Sequence, residues 1–320
     1  MTSDARPAPP LVVSLPSASW VAAVGEVPGA TLTVWDCTRV PAGPSPHVVV
    51  PPYLGLPPLR EALAALPDLR LVQLLTNGYD GVAEQLPRRV ALATAAGVHD
   101  ASTAELAVGL AIASLRGLDD AARGMAAGDW AAARRPSLAD RRALVVGWGG
   151  VGRQVAARLA PFEVAVTAVG SRAREQDGTR VHGPAELPGL LPRHDLVVLA
   201  CPLTDATRGL VDAAFLAAMP DGALLVNVAR GPVVVTDDLV AELAAGRLRA
   251  ALDVTDPEPL PPGHPLWSAP GVLVTPHVGG NTSAFRPRAV ALLREQLGRL
   301  VAGDPPLNVV RAGTRGPADG

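Results

Sequence analysis

The sequence contains no lysine, because all 28 of its basic residues are arginine. This absence excludes a Schiff-base lysine, attachment of pyridoxal phosphate and a lysine-bearing phosphate loop. Only two cysteines occur, Cys37 and Cys201, and their spacing fits neither a metal site nor a redox pair. We therefore expect two reduced thiols and no bound metal, as is typical of a cytoplasmic protein.

Long apolar runs and an excess of one charge are also missing. No run approaches the roughly 20 residues that span a bilayer, and residues 1–10 do not have the pattern of a signal peptide. The net charge of −2 offers no electrostatic basis for binding nucleic acid or a membrane. A chain of 320 residues, 48% of them hydrophobic, is instead typical of a globular protein with about two domains.

Short apolar segments alternate with helical segments in two series. The predicted strands of the first series are residues 11–15, 31–35, 47–50, 69–75 and 90–94. Those of the second are residues 143–146, 164–169, 195–200, 223–228, 249–254 and 272–275. This alternation predicts an α/β fold of two Rossmann-like domains, each a parallel sheet with helices on both faces. We expect the active site in the cleft between the domains.

Helix signals set the domain boundaries. Ser102 and Glu105 match a capping box with Ser102 as N-cap, which predicts a buried helix through residues 106–115. An amphipathic helix at residues 282–301 is expected to return to the first domain, and residues after Asn308 to form a disordered tail. Residues 1–98 plus 284–320 then make one discontinuous domain, and residues 99–283 make the other.

A glycine-rich turn follows the first strand of the second series. Gly147, Gly149 and Gly152 have the G-x-G-x-x-G spacing, with Gly150 and Val151 between them, and a helical segment follows. The glycines permit a tight turn and close approach to a pyrophosphate, and the N-terminus of the helix favours negative charge. This turn predicts a nicotinamide dinucleotide.

The end of the next strand indicates which dinucleotide is preferred. An NAD site needs an acid there for the ribose 2′-hydroxyl, but the residue is Gly170. The residues that follow include Ser171, Arg172 and Arg174, whose hydroxyl and guanidinium groups suit a 2′-phosphate. We therefore predict that NADP(H) is preferred, with NAD(H) still possible.

Several spaced motifs occur together and in order. They are Thr103-Ala-Glu105, Gly147 to Gly152, Cys201-Pro-Leu-Thr204, Asn227-Val-Ala-Arg-Gly231, Leu252-Asp-Val-Thr-Asp-Pro-Glu-Pro259 and Thr275-Pro-His-Val-Gly-Gly280. With them the chain resembles the D-isomer-specific 2-hydroxyacid dehydrogenase family. The resemblance implies an oxidoreductase that reversibly transfers hydride between NADPH and a small 2-oxoacid or D-2-hydroxyacid. Glyoxylate and hydroxypyruvate are the leading substrates.

The resemblance also implies the catalytic residues. The acid–base histidine of the family falls on His277, its carboxylate partner on Glu258, and the arginine that binds and polarises the substrate on Arg230. An imidazole can protonate the developing alkoxide, and a nearby carboxylate raises its pKa. Asp253 falls on the position that contacts the nicotinamide amide.

Other roles follow from the same resemblance. Residues 1–98 plus 284–320 would bind substrate, with Asn77 and Gly78 contacting its carboxylate, and residues 99–283 would bind the dinucleotide. The remaining positions implied to contact the cofactor are Thr103, Cys201, Pro202, Thr207, Val228, Ala229, His277 and Gly279. The family is usually dimeric, and the helix at residues 106–115 is a candidate for the contact.

One departure and two alternatives stay open. The family often has an aspartate at the position of Val235, and we expect Thr236 to take over its helix-capping role. The same triad of Arg230, Glu258 and His277 serves phosphite dehydrogenases, so that activity is an alternative. A non-catalytic, dinucleotide-sensing corepressor on the same fold is another alternative.

Overall fold

The computed structural model describes residues 9–39, 41, 43–54 and 57–314. The chain divides into two units. The first unit comprises Met1–His99 and Ser283–Gly320, and the second comprises Asp100–Thr282. Each boundary lies one residue from the position expected from the sequence.

The strands and helices of the described residues alternate along most of the chain. The strands are β1 Leu11–Leu15, β2 Ala30–Val34, β3 Val48–Val49, β4 Leu71–Gln73, β5 Ala91–Ala93, β6 Arg142–Val146, β7 Ala165–Val169, β8 Arg174–Gln176, β9 Thr179–His182, β10 Leu196–Leu199, β11 Leu224–Asn227, β12 Arg249–Leu252, β13 Val272–Val274 and β14 Val309–Arg311. The α-helices are α1 Ala18–Val24, α2 Leu59–Ala64, α3 Asp100–Arg116, α4 Leu118–Met125, α5 Gly150–Leu159, α6 Leu187–Leu190, α7 Ala213–Ala218, α8 Thr236–Ala244 and α9 Phe285–Ala302. Single turns of 3₁₀-helix lie at Ala83–Gln85, Ala160–Phe162, Pro184–Glu186, Leu191–Arg193, Gly231–Val233 and Pro265–Trp267.

The sheet of the first unit has the order β14-β5-β4-β3-β1-β2, and its strands are parallel except for β14. The residues of β3 and β4 are all buried, as expected for parallel strands that are covered on both faces. Helix α9 contributes Ala289, Leu293 and Leu297 to the core on one of these faces. The return of the last helix to the first unit therefore reflects burial of its apolar face.

The disordered tail expected after Asn308 is wrong for residues 309–314. Strand β14 pairs antiparallel with β5. The guanidinium of Arg311 donates hydrogen bonds to the carbonyl oxygens of Ala83, Pro87 and Val90 at 2.6–2.7 Å. These bonds fix a segment that its polar sequence alone does not mark as ordered.

The sheet of the second unit has the order β13-β12-β11-β10-β6-β7-β9-β8, and all its pairs are parallel except β8–β9. Along β6, Ala143 and Val145 face one core cluster, while Leu144 and Val146 face another. Both faces of this sheet are thus buried. The chain order reverses at β6, and this switch point is where open α/β sheets bind ligands. The predicted α/β class with two Rossmann-like parts is confirmed.

The hairpin of β8 and β9 is absent from the sequence prediction. Its turn is Asp177-Gly178, and both residues have positive φ, 50° and 73°. This conformation is the one that Asp-Gly favours in two-residue hairpins. The dipeptide was therefore the signal that could have revealed these strands.

Helix α3 begins at Asp100, so the predicted capping box with Ser102 as N-cap is wrong. The Ser102 hydroxyl lies inside the helix and is hydrogen-bonded to the Thr282 hydroxyl at 2.9 Å. The apolar side of α3, including Leu110 and Leu115, is buried in the second unit itself. The other side of the helix, with Glu105, Gly109 and Arg116, is exposed, so the expected contact with a second copy stays a prediction.

Among residues 9–39, 41, 43–54 and 57–314, no single helix is long and apolar enough to cross a membrane. Helices α3 and α4 meet the length and composition only when taken together, and they are bent by 68°.

Candidate active site

Most of the residues predicted for the site follow strands at one edge of the second sheet. Strands β6, β10, β11, β12 and β13 are parallel, so their carboxyl ends share this edge. The residues that follow these strands are Gly147 after β6, Cys201 after β10, Val228, Ala229 and Arg230 after β11, Asp253 after β12, and His277 after β13. The fold thereby gathers groups that are distant in sequence.

The glycine turn joins β6 to α5. Gly147 has φ of 110°, and a Cβ there would lie 2.4 Å from the backbone of Cys201. A Cβ on Gly152 would lie 1.9 Å from the carbonyl oxygen of Gly147, whereas one on Gly149 would meet open space. Gly150 and Val151 form the first turn of α5. The close packing behind the turn and the open space in front of it fit the approach of a pyrophosphate.

These distances predict different losses of stability for two alanine substitutions. For Gly152→Ala, we expect the free energy of unfolding of the cofactor-free protein to fall by about 1–3 kcal/mol, because the methyl group overpacks the turn. Gly149→Ala is the control that adds a methyl group in open space, and, because Gly149 is the N-cap of α5, it should lower this free energy by no more than about 1 kcal/mol. Denaturant unfolding measures both values, and equal losses would contradict this packing.

The end of β7 leads into the hairpin. Ser171 and Arg172 are exposed, whereas Arg174 is half-buried on β8. The Nε and Nη2 groups of Arg174 donate to Oε1 of Gln176 at 3.0 and 2.7 Å. A Cβ on Gly170 would lie 2.6 Å from Nη1 of Arg174. The guanidinium thus lies beside the position where an NAD-selecting acid would stand. The sequence did not predict this contact of Gln176, since it depends on the unpredicted hairpin.

The loop after β10 is closed by its own hydrogen bonds. The Thr207 hydroxyl donates to the carbonyl oxygen of Pro202 at 2.6 Å, and the Thr204 amide donates to the Thr207 hydroxyl at 2.8 Å. Cys201 is buried against the core, and burial raises the pKa of its thiol to about 11. This cysteine is therefore a neutral packing residue at neutral pH.

Asn227 shapes the turn that carries Arg230. Its Oδ1 accepts a hydrogen bond from the amide of Ala229 at 3.0 Å, and its Nδ2 donates to the carbonyl oxygen of Arg230 at 3.1 Å. A Cβ on the next residue, Gly231, would lie 1.9 Å from the carbonyl oxygen of Thr255. The fully buried Asn227 and this close approach fix the backbone at Arg230, whose side chain is half-buried.

Asp253 holds the turn that carries His277. Its Oδ1 accepts from the Thr275 hydroxyl at 2.7 Å and from the Val278 amide at 2.9 Å. Its Oδ2 accepts from the amide of Gly279 at 2.9 Å. His277 itself has φ of 52°, a conformation that these bonds help to maintain.

Thr103, on α3, lies beside Gly279 and Asp253. A Cβ on Gly279 would lie 2.9 Å from Oδ2 of Asp253 and 3.4 Å from the methyl carbon of Thr103. The structure therefore brings Thr103, Asp253 and Gly279 together, and a side chain at position 279 would displace the carboxylate of Asp253.

Glu258 and His277 form a hydrogen-bonded ion pair. Nδ1 of His277 donates to Oε1 of Glu258 across 2.6 Å, and each side chain is a little under half exposed, 45% and 41%. The hydrogen bond that His277 donates to Glu258 raises the pKa of His277 above its ordinary value, although partial burial opposes this shift. The same hydrogen bond lowers the pKa of Glu258. This bond leaves Nε2 of the imidazole for a further partner.

Thr236 does not cap α8. The N-cap residue of α8 is Val235, without a side-chain capping bond, and the Thr236 hydroxyl donates to the carbonyl oxygen of Asp256 at 2.7 Å. The capping role expected for Thr236 is therefore wrong. Its hydroxyl instead fixes the loop that leads to Glu258.

The other histidines make contacts that explain their presence. His194 is buried and bridges the Leu190 carbonyl and the Thr167 hydroxyl, and burial lowers its pKa. The His47 and His264 rings accept backbone amides, His99 stacks on Tyr53 and Phe285, and His182 pairs with Glu186. In the residues that the structure describes, no group of three or more potential ligands is placed to hold a metal ion.

Asn77 and Gly78 lie in the first unit, shortly after β4. The Thr76 hydroxyl donates to the carbonyl oxygen of Gly78 at 2.7 Å, and the Ala95 amide donates to the carbonyl oxygen of Thr76 at 2.8 Å. These bonds define the turn in which the resemblance places substrate-binding groups.

Comparison with known proteins adds a family match. Residues 108–279 match the model of the D-isomer specific 2-hydroxyacid dehydrogenase, NAD binding domain. A glyoxylate reductase/hydroxypyruvate reductase of Homo sapiens is 32% identical over 252 residues, which are 76% of this chain and 77% of that protein.

Solved structures extend the similarity to nearly the whole chain. A D-isomer specific 2-hydroxyacid dehydrogenase from Xanthobacter autotrophicus Py2, in complex with NADPH and MES, is 31% identical with a TM-score of 0.80. The match covers 95% of this chain and 98% of that one. An NADPH-dependent glyoxylate/hydroxypyruvate reductase from Sinorhizobium meliloti, in complex with NADP and sulfate, is 26% identical with a TM-score of 0.80. That match covers 95% and 99% of the two chains.

Proposed function

Because the chain belongs to the D-isomer specific 2-hydroxyacid dehydrogenase family, we propose that it reduces small 2-oxoacids with NADPH, with glyoxylate and hydroxypyruvate as the leading substrates. As a member of this family it is an NAD(P)-dependent oxidoreductase that acts on a small 2-hydroxyacid or its oxo form. The Glu258–His277 pair, 2.6 Å apart at the carboxyl edge of the second sheet, is the observation that carries the proposal.

When bound, the nicotinamide would supply the hydride that reduces the carbonyl carbon of the substrate. His277 donates a proton from Nε2 to the carbonyl oxygen, which becomes the hydroxyl of the product. Arg230 binds the substrate carboxylate and polarises the carbonyl group, since its fixed charge stabilises negative charge that develops on oxygen. In the oxidative direction, neutral His277 takes the proton back.

Glu258 has two roles in this scheme. It fixes which ring nitrogen of His277 faces the substrate, because the Nδ1 proton is held by its carboxylate. It also keeps His277 protonated to a higher pH, since the carboxylate raises the pKa of the imidazole. Both effects favour reduction at neutral pH.

The pH dependence of the Glu258→Gln variant tests the second role. Reduction needs the imidazolium, so kcat/KM should fall as the pH rises through the pKa of His277. Loss of the carboxylate lowers that pKa, and the fall should therefore begin at a lower pH in Glu258→Gln. Asp256→Asn removes an exposed carboxylate of the same loop, two residues before Glu258 and without a hydrogen bond to His277, and serves as the control. Superimposable profiles of wild type and Glu258→Gln would refute this role.

The proposed preference for NADPH depends on the end of β7. Ser171, Arg172 and Arg174 would bind the ribose 2′-phosphate, because guanidinium groups form charge-assisted hydrogen bonds to phosphate. Gly170 supplies no carboxylate that would repel it. The NADPH and NADP named in the two similar structures support this preference.

The remaining site roles are also part of the proposal. The glycine turn would bind the pyrophosphate, Asn77 and Gly78 would bind the substrate carboxylate, and Asp253 would face the nicotinamide amide. The other proposed cofactor contacts are Thr103, Cys201, Pro202, Thr207, Val228, Ala229, His277 and Gly279.

A panel of 2-oxoacids, each assayed with NADPH and with NADH, tests the proposed function. We expect glyoxylate and hydroxypyruvate to be reduced, with a higher kcat/KM for NADPH than for NADH. Activity with NADH alone would contradict the coenzyme preference. Phosphite oxidation without turnover of any 2-oxoacid would favour the phosphite dehydrogenase. Dinucleotide binding without either reaction would favour the sensing protein.

We also propose that the protein is a cytoplasmic homodimer. Helix α3 remains a candidate for the contact, because Glu105, Gly109 and Arg116 on its other side are exposed. Leu118, Met125 and Trp130 are exposed apolar residues of the same unit, and Trp130 is 94% exposed. Light scattering of the purified protein measures the oligomeric state.

A further inference from the structure

Gln176 is the feature that the proposed function leaves without a role. It lies on β8, two residues after Arg174, so the two side chains share one face of the hairpin. Its amide oxygen accepts both Nε–H and an Nη2–H of Arg174, at 3.0 and 2.7 Å. A side chain held through two of its donors has far fewer orientations than a free arginine.

We propose that Gln176 is a positioning residue that sets the coenzyme preference by holding the guanidinium of Arg174 at the end of β7. This inference depends on the proposed binding of the 2′-phosphate by Ser171, Arg172 and Arg174. Gln176 acts through Arg174 and need not contact the coenzyme itself.

The chemistry of the amide explains why glutamine suits this position. A carboxylate in the same place would orient the guanidinium but would also neutralise its charge. The neutral amide oxygen orients Arg174 and leaves a full positive charge for a phosphate dianion. Glu175, which stands between Arg174 and Gln176, is exposed and lies on the other face of the strand, where its carboxylate does not pair with Arg174.

The guanidinium keeps donors for a ligand. It has five N–H groups. Three of them are used, two by Gln176 and one in a 3.3 Å bond from Nη1 to the carbonyl oxygen of Arg172. Two N–H groups therefore remain, and these suffice for a bidentate contact with a phosphate.

Gly170 completes the arrangement. A Cβ at this position would lie 2.6 Å from Nη1 of Arg174 and 2.9 Å from a methyl carbon of Val181. Arg174 can therefore lie across the strand end only because residue 170 has no side chain. Gly170, Arg174 and Gln176 act together, since the first provides space, the second charge and the third orientation.

The test is the ratio of the dissociation constants for NADH and NADPH, measured by direct binding without a 2-oxoacid. In Gln176→Glu we expect NADPH to bind about tenfold more weakly, with NADH nearly unchanged, because a neutralised guanidinium loses its charge-assisted bonds. In Gln176→Leu the charge stays but the tether is lost, so a smaller loss that is again confined to NADPH is expected.

Gln154→Glu is the matched control. Gln154 lies on the exposed side of α5 and accepts from the guanidinium of Arg158. It therefore offers the same exchange beside another arginine of the same unit. It should leave both dissociation constants unchanged.

The outcomes separate this inference from the proposed function. Suppose that the wild type prefers NADPH. If both Gln176 variants then keep the wild-type ratio of the dissociation constants for NADH and NADPH, even with weaker binding of both coenzymes, the positioning role is wrong and the proposed preference stands. If the wild type binds NADPH no more tightly than NADH, the proposed preference fails and the role of Gln176 fails with it. A ratio that falls only in the Gln176 variants supports the proposal.

Discussion

The His277→Gln variant is expected to reduce glyoxylate or hydroxypyruvate with kcat/KM lowered by about 10²- to 10⁴-fold, while its affinity for NADPH falls far less, because His277 is one of many proposed coenzyme contacts. The loss follows from the absence of a proton donor at the carbonyl oxygen, a contribution that general acid catalysis typically supplies. Steady-state kinetics and direct coenzyme binding measure the two properties separately.

His47→Gln provides a control for this substitution. His47 precedes β3 and its Nδ1 accepts from the Val12 amide at 2.9 Å, so it lies in the first unit and in a structural contact. Its replacement should leave kcat/KM nearly unchanged. A His277→Gln enzyme with wild-type turnover would show that another group donates the proton.

The Arg230→Gln variant should lose about 10²- to 10³-fold in kcat, the typical cost of removing one donor to a developing oxyanion. Its KM for the 2-oxoacid should also rise, because the same cation is proposed to hold the substrate carboxylate. The backbone turn should survive the substitution, since Asn227 is hydrogen-bonded to the amide of Ala229 and to the carbonyl oxygen of residue 230, and neither bond involves the side chain of Arg230.

Arg193→Gln is the matched control for Arg230. Arg193 is exposed and precedes β10, at the amino ends of the parallel strands and therefore at the opposite edge of the sheet. Kinetics of this variant should equal those of the wild type. If Arg230→Gln changed neither kcat nor KM, the cation would have no part in the reaction.

The strands and the glycine turn were readable from the sequence because their signals are local. Leu196–Leu199 is apolar throughout and is fully buried, as a central parallel strand requires. Gly147 and Gly152 are spaced so that each meets backbone that only glycine tolerates. Their spacing is a local signal, although the backbone that excludes a side chain at Gly147 is that of Ala200 and Cys201, far along the chain.

The errors arose where distant contacts decide the structure. Strand β14 exists because Arg311 reaches carbonyl oxygens more than 220 residues away, and no local pattern reveals that reach. Ser102 carries an N-cap signature, yet helix α3 starts at Asp100. The hydroxyl of Ser102 is hydrogen-bonded to that of Thr282 instead. A capping propensity of about 1 kcal/mol is easily overridden by tertiary contacts.

The sequence predicted which residues form the candidate site, but not the hydrogen bonds that hold them. The motifs of the family pointed to Arg230, Glu258 and His277, and the structure brings Glu258 against His277. Asn227 and Thr275 help to fix the turns that carry Arg230 and His277, and Gln176 holds Arg174. The sequence predicted no role for any of these three side chains. Their side chains have ordinary sequence contexts, and only the folded chain reveals what they hold.

Glu258 and His277 are proposed to act as one acid–base unit in the reduction of a 2-oxoacid. A double-mutant cycle of Glu258→Gln and His277→Gln, measured as kcat/KM for reduction by NADPH, determines whether they do. We expect the double variant to be no slower than His277→Gln alone, because the carboxylate acts only through the imidazole. Losses that multiply in the double variant would contradict it.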